Sequence, residues 1–157
     1  MLWDVQDQKL YGLALVGFFV SEIKSRMPAQ GEGMTKAEEF DKATKLAMKG
    51  DLTLYDEIVH SDYESMNQQV PVNKEMSKSI LSGIGDLITV GPMQKIYESK
   101  EFVCIHRYSR VANADVFNSV MTAIKYKNGK VVNQQTVREE LDYDPSAGQD
   151  WSWEDYE

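Results

Sequence analysis

Cysteine, histidine and proline are all scarce in this chain, and the scarcity of the first two removes whole classes of protein. The one cysteine, Cys104, has no partner for an intrachain disulfide, which excludes a disulfide-stapled scaffold. It stands in the apolar run Phe102-Val103-Cys104-Ile105, where a small buried hydrophobe fits better than a nucleophilic thiolate, and a reducing, cytoplasmic setting is expected. The two histidines, His60 and His106, are far apart and match neither zinc spacing nor a two-histidine, one-carboxylate site, so no metal and no cofactor is expected. Gly83-Ile84-Gly85-Asp86 lacks the Lys-Ser/Thr that completes a phosphate loop.

Long apolar runs are missing too. The longest, Leu10 to Val20, has about half the ~20 residues that cross a bilayer, so no membrane span is expected. Asp4 and Asp7 precede it and Ser21-Glu22-Ile23-Lys24 follows, without the basic start and small-residue cleavage site of a secretion signal. It reads as an arm that packs on this chain or on a second copy; the competing reading, which Lys9 before the run suggests, is a secretion signal. Positive charge is the last absence. The net charge is −8, yet residues 1–138 carry 17 acidic and 17 basic side chains, and the whole excess lies from Glu139 onward. A neutral body with an acidic tail excludes nucleic acid as the main partner, because phosphate binding needs a basic face.

What is present is the composition of an ordinary globule, 42% hydrophobic and 27% charged, at a length that suits one domain. Pro28-Ala29-Gln30-Gly31-Glu32-Gly33 reads as a linker that separates an N-terminal arm, residues 1–33, from a main domain, 34–143. Thr35 and Glu38 form a capping box for a helix with Phe40, Ala43, Thr44, Ala47 and Met48 on one side, and Gly50 stops it. Asp51 caps a second helical stretch carrying Leu52, Tyr55, Ile58 and Val59, and His60 to Met66 alternates as a short strand. Asn73 starts a third helix with Met76, Ile80, Leu81 and Ile84 inward. Strand segments follow at Leu87–Val90, Gln94–Glu98 and Phe102–Val111. Last comes a hairpin, Val116–Tyr126 and Val131–Leu141, around an Asn128-Gly129 pair suited to the positive φ angles of a type I′ turn. Helices first and antiparallel strands after make an α+β fold with a strongly bent sheet. The tail, 144–157, is acidic but carries Trp151, Trp153 and Tyr156, and is expected to dock on the domain or on a neighbouring subunit.

Three phrases carry a resemblance: Lys45-Leu46-Ala47-Met48-Lys49-Gly50-Asp51-Leu52, Val59-His60-Ser61-Asp62-Tyr63 and Asn128-Gly129-Lys130-Val131-Val132. With the element order, they resemble the SnoaL-like branch of the nuclear transport factor 2 (NTF2-like) superfamily over about residues 36–142. The resemblance implies a cone of three helices on a strongly curved antiparallel β-sheet enclosing a hydrophobic cavity, and a homodimer formed through the outer sheet face. The superfamily includes ketosteroid isomerases, polyketide cyclases, dehydratases, epoxide hydrolases and binding modules without chemistry, so fold alone does not settle function.

Alternation in Phe102–Val111 puts Cys104, His106 and Tyr108 on one face and Val103, Ile105 and Arg107 on the other. With the first taken as the cavity face, His106 is the candidate general acid or base, and Cys104 and Tyr108 are candidate ligand contacts. The competing reading is a sheet histidine satisfied by a neighbouring carboxylate. Tyr63 is the candidate donor to a substrate carbonyl, a role the resemblance implies for a tyrosine near this strand; the competing reading is a core tyrosine with its hydroxyl paired. Glu139 is a candidate accessory base if burial raises its pKa, against a surface ion pair. Tyr55 and Gln135 complete the candidate ligand-binding set. No clean isomerase, epoxide hydrolase or dehydratase constellation aligns. Two functions therefore stand: a ligand-binding or assembly domain with a small hydrophobic ligand, or an isomerase, cyclase or dehydratase acting by proton transfer on a carbonyl-bearing substrate.

Overall fold

The computed structural model describes residues 33–67 and 69–157. The expected N-terminal arm and its linker lie outside them, except for Gly33. Residues 34–157 form one compact unit. Helix α1 spans Lys36–Met48 and α2 spans Thr53–Ile58; strands β1 (Val59–Asn67) and β2 (Val70–Asn73) follow, then α3 (Lys74–Ile84). Strands β3 (Ile88–Glu98), β4 (Phe102–Val111), β5 (Phe117–Lys127) and β6 (Lys130–Leu141) lead to a 3₁₀ turn at Trp153–Tyr156.

Local chemistry sets the boundaries. The Thr35 hydroxyl accepts from the Glu38 amide at 3.2 Å while Glu38 Oε2 accepts from the Thr35 amide at 2.8 Å, so the capping box satisfies donors at both ends of the first turn of α1. At the other end Gly50 adopts φ +91°, its amide bonds Ala47 at 3.0 Å and the Asp51 amide bonds Leu46 at 2.9 Å, a Schellman closure. Asn73 caps α3 by accepting from the Met76 amide at 3.0 Å. Asn128 and Gly129, at φ 52° and 76°, make the β5–β6 turn with both central residues left-handed.

The sheet has six strands in the order β2-β1-β6-β5-β4-β3. Here the expectation of a cone on a strongly curved antiparallel sheet is corrected. Strand β1 joins β6 in parallel, with Glu64, Ser65 and Met66 opposite Asn133, Gln134 and Gln135, and the sheet is open, with β2 and β3 outermost. The cause is that β1 enters directly from α2 alongside β6, and four further strands and a helix intervene before the chain returns, the long crossover that parallel neighbours require. The two segments expected around Gly91-Pro92 are one strand, whose register shifts between Val90 and Met93 in place of a break.

The helices lie on one face. Ala37, Phe40, Ala43 and Ala47 of α1, with Tyr55 and Ile58 of α2, pack on Val103, Ile105, Ile124, Tyr126 and Val131 of the sheet. The same face of β4 carries Arg107, whose buried guanidinium donates to Asp41 of α1 at 2.9 Å. Asp41 also receives Lys45 at 2.7 Å. Close approach fixes the third helix: a Cβ on Gly85 would sit 1.8 Å from the Met48 carbonyl oxygen, so only glycine lets the end of α3 touch the end of α1.

The tail wraps β3. Trp153 is 2% exposed and stacks on Phe117 at 6.0 Å between ring centroids, and its indole N–H donates to Asp144 at 3.0 Å. Trp151 stacks on Tyr108, and Tyr156 reaches Lys45 on the helix layer. Gly91 leaves room for both tryptophans, whose ring atoms stand 3.4–3.5 Å from where its Cβ would be.

Two outcomes test this packing. Asp41→Leu strands the Arg107 charge and is expected to cost about 3 kcal/mol or more, whereas Asp41→Leu with Arg107→Leu recovers most of it; urea unfolding measures both. Gly85→Ala is expected to lower stability by about 2 kcal/mol, since the obstructing atom belongs to backbone and cannot rotate away.

Candidate functional site

Alternation sorts the candidate residues as the sequence suggests, and the helices decide which face is which. Val103, Ile105 and Arg107 meet α1, so Cys104, His106 and Tyr108 face away from the helices. Pairing extends this outer face across the sheet: His106 lies opposite Met121 and Met121 opposite Val137; Tyr108 lies opposite Ser119 and Ser119 opposite Glu139; Cys104 lies opposite Ala123 and Ala123 opposite Gln135. The structure thus brings together His106, Cys104, Tyr108, Gln135 and Glu139, and separates all of them from Tyr55 and Tyr63.

On the outer face His106 Nε2 is 2.8 Å from Ser119 Oγ, and its ring meets Tyr108 edge-on at 4.8 Å between centroids. Burial pushes the His106 pKa below its ordinary value, so the ring is neutral at neutral pH. Glu139 is exposed. Burial pushes the Cys104 thiol up, away from the nucleophilic thiolate, and its sulfur rests 3.5 Å from that of Met121.

On the helix-bearing face Tyr63 is 3% exposed and its hydroxyl donates to Gln134 Oε1 at 3.2 Å. Gln134 donates in turn to Thr136 at 3.2 Å, and the Thr136 hydroxyl lies 3.3 Å from that of Thr122. Tyr55 pairs with Ser77 at 2.6 Å; burial first, and then the neighbouring Tyr63, push its pKa well above the usual tyrosine value. The Tyr55 hydroxyl is therefore neutral at neutral pH. The relay begins in the core and ends at Thr136, which is exposed, as are Arg138 and Glu140 beyond it. Helix α3 on the same face buries none of its residues. Gln134, Thr136, Thr122 and the Asp41–Arg107 pair are polar groups that sequence reasoning missed. For Gln134 and Thr136 a signal lies in the sequence, since they fall on alternate positions of β6, on the opposite face from Gln135 and Glu139; Thr122, Asp41 and Arg107, from three other elements, leave no such trace.

Two cavities involve the tail. One, about 310 Å³, lies between the end of α1, the start of β3 and Tyr156; the other, about 360 Å³, lies over Tyr108 and Trp151. Among the described residues no three His, Cys, Asp or Glu side chains are grouped to hold a metal ion, and no helix is long and apolar enough to cross a membrane.

The His106 environment has a testable consequence. The unfolded chain binds a proton there near pH 6.5 and the folded chain only at lower pH, so stability falls as pH drops from about 6.5 through the folded value. Melting temperature is expected to fall less between about pH 7.5 and 5.5 in His106→Gln than in the parent chain, with thermal unfolding at each pH as the measurement.

No family model and no curated protein matches the sequence. Solved structures do match the fold. An NTF2-like protein from Burkholderia xenovorans aligns at 15% identity over 68% of this chain and 93% of its own, with a TM-score of 0.52. A steroid delta-isomerase from Pseudomonas aeruginosa aligns at 13% identity over 64% and 77%, also at 0.52. An LEH-like epoxide hydrolase from M. tuberculosis aligns at 9% identity over 66% and 81%, again at 0.52. At these identities the likeness concerns fold alone: the domain has a fold related to that of the NTF2-like superfamily.

Proposed function

We propose that the domain takes a small hydrophobic, carbonyl-bearing molecule on the helix-bearing face of the sheet, with Tyr63 as the neutral donor to its oxygen. The observation that carries this reading is the relay Tyr63–Gln134–Thr136, which links a buried phenol to an open stretch of that face. A ligand oxygen in the place of Gln134 Oε1 would receive the same proton. Tyr55, itself held to Ser77, neighbours the phenol and packs beside it.

A donor of this kind serves proton-transfer chemistry, the isomerase, cyclase or dehydratase class, because it stabilises an enolate-like oxygen as charge develops. The presence of a steroid delta-isomerase among the structures of like fold supports that arm. One observation favours binding without turnover instead: His106 and Glu139, the candidate bases, lie on the opposite face from Tyr63. Both arms share a partner, a second copy of the chain docked on the outer face, where Tyr97, Phe102, Met121 and Val137 are exposed apolar side chains.

Two measurements check these readings. In D₂O with a panel of hydrophobic ketones, turnover is expected to place deuterium on the carbon next to the carbonyl, and Tyr63→Phe to slow it about 100-fold. Ketone-dependent NMR shifts without deuterium uptake would identify a binding domain, and neither signal would reject the site. For the dimer, sedimentation velocity is expected to give twice the monomer mass, reduced to the monomer by Val137→Glu; a monomeric parent chain rejects the interface.

A further inference from the structure

Independently of the ketone reading, the end of the outer face nearest the tail carries a cavity of different chemistry. The cavity of about 360 Å³ is walled by Tyr108, Tyr143 and Trp151, with Asp144, Pro145, Ala147 and Gln149 completing it. Three aromatic rings and a carboxylate line it, and no basic side chain does. We infer that this cavity binds an alkylated ammonium group, of the size and chemistry of choline.

A quaternary ammonium is too apolar for a tight water shell and has no N–H to donate, so it is recognised by the negative faces of aromatic rings and by a nearby anion. Trp151 presents a fixed ring. It stands nearly parallel to Tyr108, 12° between planes and 6.4 Å between centroids, and edge-on to Trp153 at 5.0 Å and Tyr156 at 6.0 Å. Tyr143 is 56% exposed, a large apolar ring left on the surface at the rim of a cavity. Asp144 supplies the anion, and its position is fixed: the Ser146 amide at 2.9 Å, the Ser146 hydroxyl at 2.8 Å and the Trp153 indole at 3.0 Å all donate to Oδ1, and none of them uses Oδ2. Burial alone would raise its pKa, but these bonds and Arg110 outweigh burial and hold it below the usual range, so it is charged at neutral pH.

The wider field has the same sign. From Glu139 to Glu157 there are eight acidic residues and no Lys, Arg or His. Arg110, the cation that neighbours Asp144, is turned to the other tryptophan: it lies over the Trp153 ring and bonds Glu157. A neutral apolar ligand would gain from the rings but not from the carboxylate, and an anion would be repelled.

The test is isothermal titration of the full chain with choline and with 3,3-dimethyl-1-butanol, its neutral isostere. Choline is expected to bind and the neutral isostere to bind at least tenfold more weakly. Tyr143→Ala, at an exposed position, is expected to weaken choline about tenfold, and Tyr143→Phe to restore it. Co-sedimentation with phosphatidylcholine vesicles separates two sources of the same group. Vesicle binding lost in Tyr143→Ala identifies a lipid headgroup, choline binding without it identifies a free solute, and both support the site. Absence of any choline binding, equal binding of the isostere, or unchanged affinity in Tyr143→Ala overturns it.

Discussion

The contact on which the rest of this domain depends is the ion pair between Asp41 of α1 and Arg107 of β4. A buried guanidinium is costly to desolvate, and here one carboxylate, shared with Lys45, compensates it. Because the guanidinium fork is planar and reaches a single point, the pair specifies which side of α1 faces the sheet. That rotation seats Phe40, Ala43 and Ala47 on Val103 and Ile105. It also aims the Schellman closure at Gly50, from which α2 descends and delivers Tyr55 and β1. Hydrophobic burial supplies most of the driving force for such a core but is non-directional; the ion pair supplies the direction.

The same phase assignment explains how the two faces came to differ in chemistry. A strand exposes alternate side chains to opposite environments, so β4 holds a dry set, Val103, Ile105 and Arg107, and a half-wet set, Cys104, His106 and Tyr108. Strand β6 continues both sets in largely polar form, with Val137 an apolar exception. On the helix side Gln134 and Thr136 extend a hydroxyl chain from Tyr63. On the other side Gln135, Val137 and Glu139 remain exposed. Two ligand chemistries on one sheet are thus compatible, because the pleat insulates them from each other.

Much of this was legible in the residues and some was not, for identifiable reasons. Caps and turns are local, and Thr35, Glu38, Gly50, Asn73 and Asn128-Gly129 all act where their chemistry suggests. The alternation of β4 was legible as well, but not which face the helices cover. That depends on α1, and the apolar pair Val103 and Ile105 was a better guide to the core than the reactive look of His106. Strand β2 and the parallel β1–β6 pairing were not legible. Val70–Asn73 is too short to show a period, and neighbours in a sheet that are far apart in sequence leave no local trace. The open sheet follows from that pairing, which is why the cone expectation failed while the α+β order stood.

The two outermost strands are protected by different means. Strand β2 has four residues, one of them Pro71, which offers no N–H to a newcomer. Strand β3 is long, but the 3₁₀ turn passes over it, with Trp153 and Trp151 against Gly91 and Tyr156 against Lys45 beyond. Neither border of the sheet is therefore a ready template for another chain's strand. Among the described residues, growth of this sheet into a continuous ribbon is discouraged at both ends, by a proline on one side and a clasp of aromatic rings on the other.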